Sequence, residues 1–302
     1  GAAATGVVLI AGVAASGGRD RALMRAALAA GLLVLCVYGA VEALFDMPLN
    51  RLDEPDTATG ILERNPGKGV SILVACLWAG VGALAGRTPW RLGAAGALLT
   101  AAGALSLQFH MAANVAGFAA GLAGFALGYA APRIGPTIVA GALAGWVLLA
   151  PWLTPLLFAG GGGAAMPMSW RMRGEIWRFA AERIAERPLT GWGLDASRQF
   201  GDTLLRLDGL DFRAIPLHPH SFSIQIWLEA GAVGALLMAG AIVAAGRAAS
   251  RFAGTDRACA AAIAGAIAAT GLIWNVSYGA WQEWWIATVF CALAFAAAVR
   301  RV

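Results

Sequence analysis

Leu92-Gly-Ala-Ala-Gly-Ala-Leu-Leu-Thr-Ala-Ala-Gly-Ala-Leu-Ser-Leu-Gln-Phe-His-Met-Ala-Ala-Asn-Val-Ala-Gly-Phe-Ala-Ala-Gly-Leu-Ala-Gly-Phe-Ala-Leu-Gly-Tyr-Ala-Ala-Pro132 contains no Asp, Glu, Lys or Arg. Its length suits two bilayer crossings of about 20 residues each, with a polar turn at 108–110. A backbone crossing lipid must satisfy its own hydrogen bonds, so the crossings are predicted to be helices. Ala and Gly dominate them, which lets neighbouring helices approach closely.

The rest of the chain extends this pattern. Hydrophobic residues make up 59% of the 302 residues and charged residues 13%; the mean hydropathy is +0.69. A soluble domain carries roughly twice that share of charge. Spans are predicted at 1–15, 23–45, 69–86, 92–107, 111–131, 136–158, 221–246, 258–274 and 284–299. The fold class is therefore all-α, a polytopic transmembrane helical bundle. It reads as a single transmembrane domain over 1–302, with two longer connections, 46–68 and 159–220. The chain begins inside an apolar stretch at Gly1, without Met or a signal peptide. That first helix reads as the tail of a longer span, so the native protein is expected to continue N-terminally. Cys36, Cys76, Cys259 and Cys291 all fall inside spans and read as small apolar packers.

Loop charge sets the orientation. If 159–220 lies outside, the inside loops carry Arg19, Arg21 and Arg25; Arg87 and Arg91; Arg133; Arg247, Arg251 and Arg257; and Arg300 and Arg301. The short outside turns near 108–110 and 275–283 carry no Lys or Arg, which is the positive-inside pattern. The formal net charge of +5 thus belongs to helix ends and loops. It does not form a soluble basic face, and no nucleic-acid role follows. His110, Lys68, Arg171, Arg173, His218, His220 and Glu283 all fall on the outer side. Chemistry there has no ATP and needs an already activated donor.

The 159–220 connection opens on a glycine run, Gly160 to Gly163, and carries Trp170-Arg-Met-Arg-Gly-Glu-Ile-Trp-Arg-Phe-Ala-Ala-Glu-Arg-Ile-Ala-Glu-Arg187. Ile176, Trp177, Phe179, Ala180 and Ile184 form one apolar face of a helix, which suits a membrane surface. Most of its arginines suit lipid headgroups. Arg173 is expected at the helix start, where backbone N–H groups favour an anion and a guanidinium can grip phosphate with two hydrogen bonds. Pro188 ends the helix, and Gly191 and Gly193 are free to take positive φ. Further on, Leu217-His-Pro-His-Ser-Phe-Ser-Ile-Gln-Ile-Trp-Leu-Glu-Ala-Gly-Ala-Val-Gly234 places His220 at a membrane boundary, with Ser221 able to cap the next helix. A neutral imidazole there can take a proton from a hydroxyl nucleophile. His218 and His220 with Asp211 and Glu229 complete no recognisable metal-ligand spacing. Glu229 lies two turns into the helix and is expected to pair with an Arg or hold a backbone amide.

These stretches resemble the O-antigen ligase and polymerase superfamily. The resemblance rests on Arg173-x-x-x-Trp177 followed by Pro188-Leu-Thr-Gly-Trp-Gly-Leu194, and on His220-Ser221, nine residues, Gly231, two residues, Gly234. Trp281-Gln-Glu-Trp-Trp285 resembles an aromatic stretch near the last helix of some members. The resemblance implies a glycosyltransferase of the bacterial inner membrane, multi-pass, with its active site facing the periplasm and no metal or cofactor. Its donor would be an undecaprenyl-pyrophosphate-linked glycan and its acceptor lipid A–core, or, for a polymerase, another repeat unit. It implies His220 as general base and Arg173 on the pyrophosphate. Arg171, His218, Gln225 and Glu229 are expected to contact substrate. Many members carry a further Arg near the outer ends of earlier helices. Here Ser106-Leu-Gln-Phe-His110 and Asn65-Pro-Gly-Lys68 stand there, and Lys68 is either a substitute phosphate contact or an ordinary loop charge. The alternatives from other classes are a transporter of polyisoprenyl-linked glycan, which calls for charges near the bilayer midplane, and a non-catalytic scaffold.

Overall fold

The computed structural model describes residues 2–86, 88–109, 111–158 and 166–300. Arg87, His110 and the run Gly160 to Gly163 lie outside the described residues. The helices are α1 (Ala2–Ala15), α2 (Gly18–Leu44), α3 (Asn50–Asp53), α4 (Thr59–Leu62), α5 (Arg64–Leu84), α6 (Pro89–Gln108), α7 (Ala112–Ala130), α8 (Gly135–Phe158), α9 (Met168–Glu186), α10 (Phe222–Ala253), α11 (Arg257–Val276) and α12 (Glu283–Ala298). A 3-10 turn (Ala196–Phe200) and two strands, β1 (Leu204–Leu207) and β2 (Leu210–Arg213), lie between α9 and α10.

The all-α, polytopic reading holds. Seven stretches among the described residues are long and apolar enough to cross a membrane: Gly18–Leu44, Thr59–Leu84, Pro89–Gln108, Ala112–Ala130, Gly135–Leu157, Phe222–Ala253 and Arg257–Val276. The two remaining expected spans, at the ends of the chain, are apolar helices of shorter length, Ala3–Ala15 and Glu283–Ala298. The four cysteines are free thiols.

Contacts divide the chain into two compact units. The first comprises Gly1–Ala140, Gly246–Ile273 and Glu283–Val302. Within it α5 packs against α2, α6, α7 and α12. Small residues permit the tightest approaches: a Cβ at Gly121 would lie 2.2 Å from the Trp78 ring, and one at Gly128 would lie 2.5 Å from the Ala260 carbonyl. Arg21 donates to the carbonyls of Ala14 and Arg300, and Arg25 donates to that of Ala298. Two arginines at the start of α2 thus cover the last carbonyls of α1 and the carbonyls at the end of α12, where a cation also meets the negative helix ends. The start of α2 and the end of α12 therefore share one end of this unit.

The second unit comprises Gly141–Ala245 and Trp274–Gln282. Its core joins Val147 and Ala150 of α8, Ile176, Trp177, Ala180 and Ile184 of α9, and Phe222, Ile224, Trp227 and Leu228 of α10. The apolar face of α9, expected to rest on lipid, is buried by these protein neighbours instead. The opposite face is laced by ion pairs at helical spacing, Arg178 with Glu175 and Glu182, and Arg183 with Glu186. Pro151 lies inside α8 and has no N–H to give the Val147 carbonyl. The Trp227 indole N–H takes that place, 2.7 Å away.

Candidate active site

Two interlocking turns set up the site in the second unit. Helix α10 is broken at Gly231, which has φ 59° and ψ −158°. The break frees the carbonyls of Leu228 and Glu229, which accept from the N–H groups of Trp192 (2.9 Å) and Gly193 (3.0 Å). It also frees the N–H groups of Ala232 and Val233, which donate to the carbonyls of Pro188 (2.8 Å) and Leu189 (3.2 Å). The Pro188–Gly193 turn thus repairs the broken helix, as a buried backbone requires. The fit needs glycine on both sides. A Cβ at Gly231 would sit 2.5 Å from Leu189 backbone atoms, and one at Gly191 2.5 Å from the Glu229 carbonyl carbon. Gly191 (φ 68°) and Gly193 (φ 97°) take the positive φ expected of them. The Leu-Thr-Gly-Trp-Gly stretch and the spaced glycines of α10 are two halves of one joint.

Glu229 lies two residues before the break, 2% exposed. Its carboxylate accepts from the Asp195 N–H (3.1 Å), the Ser197 hydroxyl (2.8 Å), the Gln225 amide (2.8 Å) and the Trp281 indole N–H (2.6 Å). Of the two roles expected for it, holding a backbone amide is the one realised. The other end of the Gln225 amide accepts from the Ala280 N–H at 2.7 Å. Gln225 and Glu229 are therefore engaged within the protein, tying α10 to the 195–197 turn and to the segment 280–281.

The Arg-x-x-x-Trp spacing has a plain geometric meaning. Trp177 donates its indole N–H to the Pro219 carbonyl at 2.7 Å. Arg173, four residues earlier, lies on the same helix face one turn away, so its charge comes beside His218 and His220. Helix α9 starts at Met168 behind Pro167, earlier than expected. Arg173 is thus in the second turn and not among the free N–H groups of the first, because Pro167 already fixes an extended entry to the helix. Its guanidinium lies 5.4 Å from the centre of the Trp170 ring. It makes no ion pair among the described residues. Burial pushes its pKa down, opposed by Tyr278, but a guanidinium stays charged at any physiological pH. The site therefore holds a half-buried cation that no carboxylate among the described residues neutralises.

His220 has left-handed backbone, φ 52°, in the loop that enters α10. Ser221 caps that helix as expected, accepting from the Ile224 N–H at 3.4 Å. The His220 N–H donates to Nδ1 of His218 (3.1 Å), and the two rings lie 4.6 Å apart. His220 Nδ1 is 3.1 Å from the Ser277 carbonyl. A carbonyl only accepts, so Nδ1 carries the hydrogen and Nε2 presents its lone pair. Burial lowers the His220 pKa; the Ser277 hydrogen bond opposes this and the Arg173 charge adds to it. Burial, His220 and Arg173 together push His218 down to about 4. Both imidazoles are neutral at pH 7.

The remaining expected residues divide. Arg171 forms a forked ion pair with Asp208, its second nitrogen 2.9 Å from the carboxylate, which lifts the Arg171 pKa and lowers that of Asp208. It fastens α9 to the β1–β2 hairpin. Lys68 is exposed in the second turn of α5, in the first unit, with no ion pair among the described residues. Sequence reading missed three groups: the Ser277 carbonyl, the Trp281 indole and the hairpin. The hairpin did carry a signal, since Asp208-Gly209 between apolar runs is a strong two-residue turn, and both residues have positive φ. In the same unit a groove of about 550 Å³ runs between α8, α9 and α10, lined by Pro151, Trp152, Pro155 and Trp227, with the Arg178–Glu182 ion pair also in its lining.

Comparison with known proteins agrees with the resemblance read from these motifs. The chain is 31% identical over 121 residues to a protein of Rickettsia conorii named "Putative polysaccharide ligase". It is 34% identical over 116 residues to a Rickettsia bellii protein of the same name, and 28% identical over 121 residues to one from Rickettsia felis. Each match takes in 37% of this chain and 28% of the relative, so the chain is matched over under a third of the length of these relatives. No family profile and no solved structure gives a significant match.

Proposed function

We propose that this multi-pass membrane protein is a glycosyltransferase of the polysaccharide-ligase type, which moves a glycan from undecaprenyl pyrophosphate to an acceptor at the periplasmic face of a bacterial inner membrane. The acceptor that fits best is lipid A–core. The observation carrying this reading is a neutral His220, its Nδ1 held by the Ser277 carbonyl, beside Arg173, a half-buried cation with no ion-pair partner among the described residues. His220 Nε2 takes the proton from an acceptor sugar hydroxyl. That oxygen bonds to the anomeric carbon from the face opposite the leaving group. The bond from that carbon to the pyrophosphate oxygen breaks, and undecaprenyl pyrophosphate departs with the electron pair, its charge balanced by Arg173. Before donor binds, burial lowers the proton affinity of His220 and the Arg173 charge adds to this. Bound pyrophosphate offsets that charge and raises the basicity of the imidazole when the proton must be taken. The groove lined by Trp152 and Trp227 offers an apolar seat for the isoprenoid chain.

Glu229, the deep carboxylate that a transporter would use, is saturated by four donors, which weighs against transport. The deciding experiment is His220→Ala in the full native protein, at unchanged protein level, assayed for transfer from the lipid-linked glycan. Collapse of transfer with accumulation of donor is expected. The same gel separates lipid A-linked product from a longer polymer, the alternative of a polymerase. Transfer at the parent rate would remove His220 from the mechanism.

A further inference from the structure

Trp281 combines two properties that seldom meet. Its side chain is 45% exposed, yet its one polar group points inward, 2.6 Å from a carboxylate that is 2% exposed. A tryptophan that anchors a protein at a membrane surface keeps its N–H for the wet boundary. Here that N–H is held inside by Glu229, while nearly half of the side chain stays exposed.

The ring is also held rigidly. Ala280 donates to Gln225, Gly279 donates to the Gln282 side chain at 3.1 Å, and the Trp274 indole donates to the Gly279 carbonyl at 2.9 Å. A Cβ at Gly279 would meet the His218 ring at 2.7 Å, so this turn lies directly against the histidine pair. Ser277, which fixes the His220 tautomer, is only four residues from Trp281, at most about 14 Å of extended chain. A fixed aromatic face thus stands within reach of a short oligosaccharide from the proposed base.

We propose that the exposed part of Trp281 is a stacking platform for a pyranose ring, a sugar subsite next to His220. The axial C–H bonds of a pyranose carry partial positive charge and present a flat apolar face, which matches the negative face of an indole. Because the ring is immobilised by Glu229, stacking costs little side-chain entropy. The inference rests on the glycan-transfer reading. The sugar can belong to the donor or to the acceptor, and the two are separated by experiment.

The test uses the full native protein in detergent, with Trp281→Ala, Trp281→Phe and His220→Ala beside the parent. Two soluble probes are used: the core oligosaccharide freed from the host's lipopolysaccharide by mild acid, and the repeat-unit glycan freed from its lipid carrier. Saturation-transfer NMR reads which pyranose C–H protons touch protein. One probe is expected to bind the parent and His220→Ala alike and to weaken about fivefold with Trp281→Ala, the loss of one aromatic contact. The KM for the matching substrate should rise by a similar factor with kcat nearly unchanged. Trp281→Phe loses the same N–H but keeps an aromatic face, so it should stay within about twofold. Should Trp281→Ala fail to fold, Trp281→Gln keeps a donor for Glu229 without a ring and is read instead. Unchanged binding and KM for both probes in the ring-less variant, while His220→Ala still abolishes transfer, overturns the platform and leaves the transferase reading intact. A parent protein that transfers nothing and binds neither probe removes both.

Discussion

Replacing Gly231 by Ala tests the joint between α10 and the Pro188–Gly193 turn. Two costs compete. Keeping the backbone at φ 59° and ψ −158° puts a side chain in a region that is essentially glycine's alone, at about 1–3 kcal/mol. The added Cβ would also sit 2.5 Å from the Leu189 carbonyl carbon and oxygen and 2.6 Å from the Thr190 nitrogen. Those are backbone atoms, and no rotamer change can move them. Relief requires pushing the turn away, which removes the four backbone hydrogen bonds across the joint at about 1 kcal/mol each. Relief of the clash therefore costs about 4 kcal/mol. For a protein of this size class that corresponds to a fall in Tm on the order of 10 °C. The assay is thermal unfolding of the purified protein in detergent, followed by far-ultraviolet circular dichroism. Gly240→Ala is the internal control, since a Cβ there meets nothing within 4 Å and an ordinary helix position gains up to about 1 kcal/mol from Ala. If Gly231→Ala melts within about 2 °C of Gly240→Ala, the joint does not hold this helix and the account of both glycine motifs is wrong.

Two further expectations follow from the same unit. The acid limb of the transfer rate should report His220, whose proton affinity is depressed partly by Arg173. Lowering pH protonates the base and slows transfer; Arg173→Gln removes a repelling charge and should move the limb to higher pH, while Arg173→Lys should leave it in place, as pH profiles of residual activity will show. In α8, Trp227→Phe strips the indole donor from the Val147 carbonyl, an unmet acceptor worth about 1–3 kcal/mol. Pro151→Ala restores a backbone N–H to that carbonyl, so the double variant should recover at least about 1 kcal/mol against the sum of the singles. Additive losses in a double-mutant cycle would reject the idea that the indole replaces the missing amide.

The fold was legible because membrane spans are a matter of length and apolarity, which composition reports directly. The uncharged run from Leu92 to Pro132 holds most of α6 and all of α7. The amphipathic segment became α9, and Pro188 ended it. What that helix rests on was not legible, since periodicity tells which face is apolar but not whether lipid or protein covers it. Within the site, Arg173 and His220 were candidates from residue type, position and the family resemblance. The His220 tautomer and the placement of Arg173 beside it arise from tertiary contacts such as Ser277 with His220 and Trp177 with Pro219. The break at Gly231 was hidden for another reason. A glycine within an apolar helix reads as close packing, and only the complementary turn about forty residues upstream in sequence reveals it as a joint.

That joint bears on how the protein is made. Helix α10 is continuous in sequence, and nothing within the helix itself can satisfy the polar groups opened at Gly231. Until Pro188–Gly193 is in place, an unbroken helix is the better state for the residues around it. The loop leaves the ribosome before the helix does, so its turn is available when α10 arrives, and docking and bending become one cooperative event. An insertion between Gly193 and Phe222 leaves that event possible. A change that stiffens either glycine removes the bent state itself, and with it the placement of Glu229 and all that it holds.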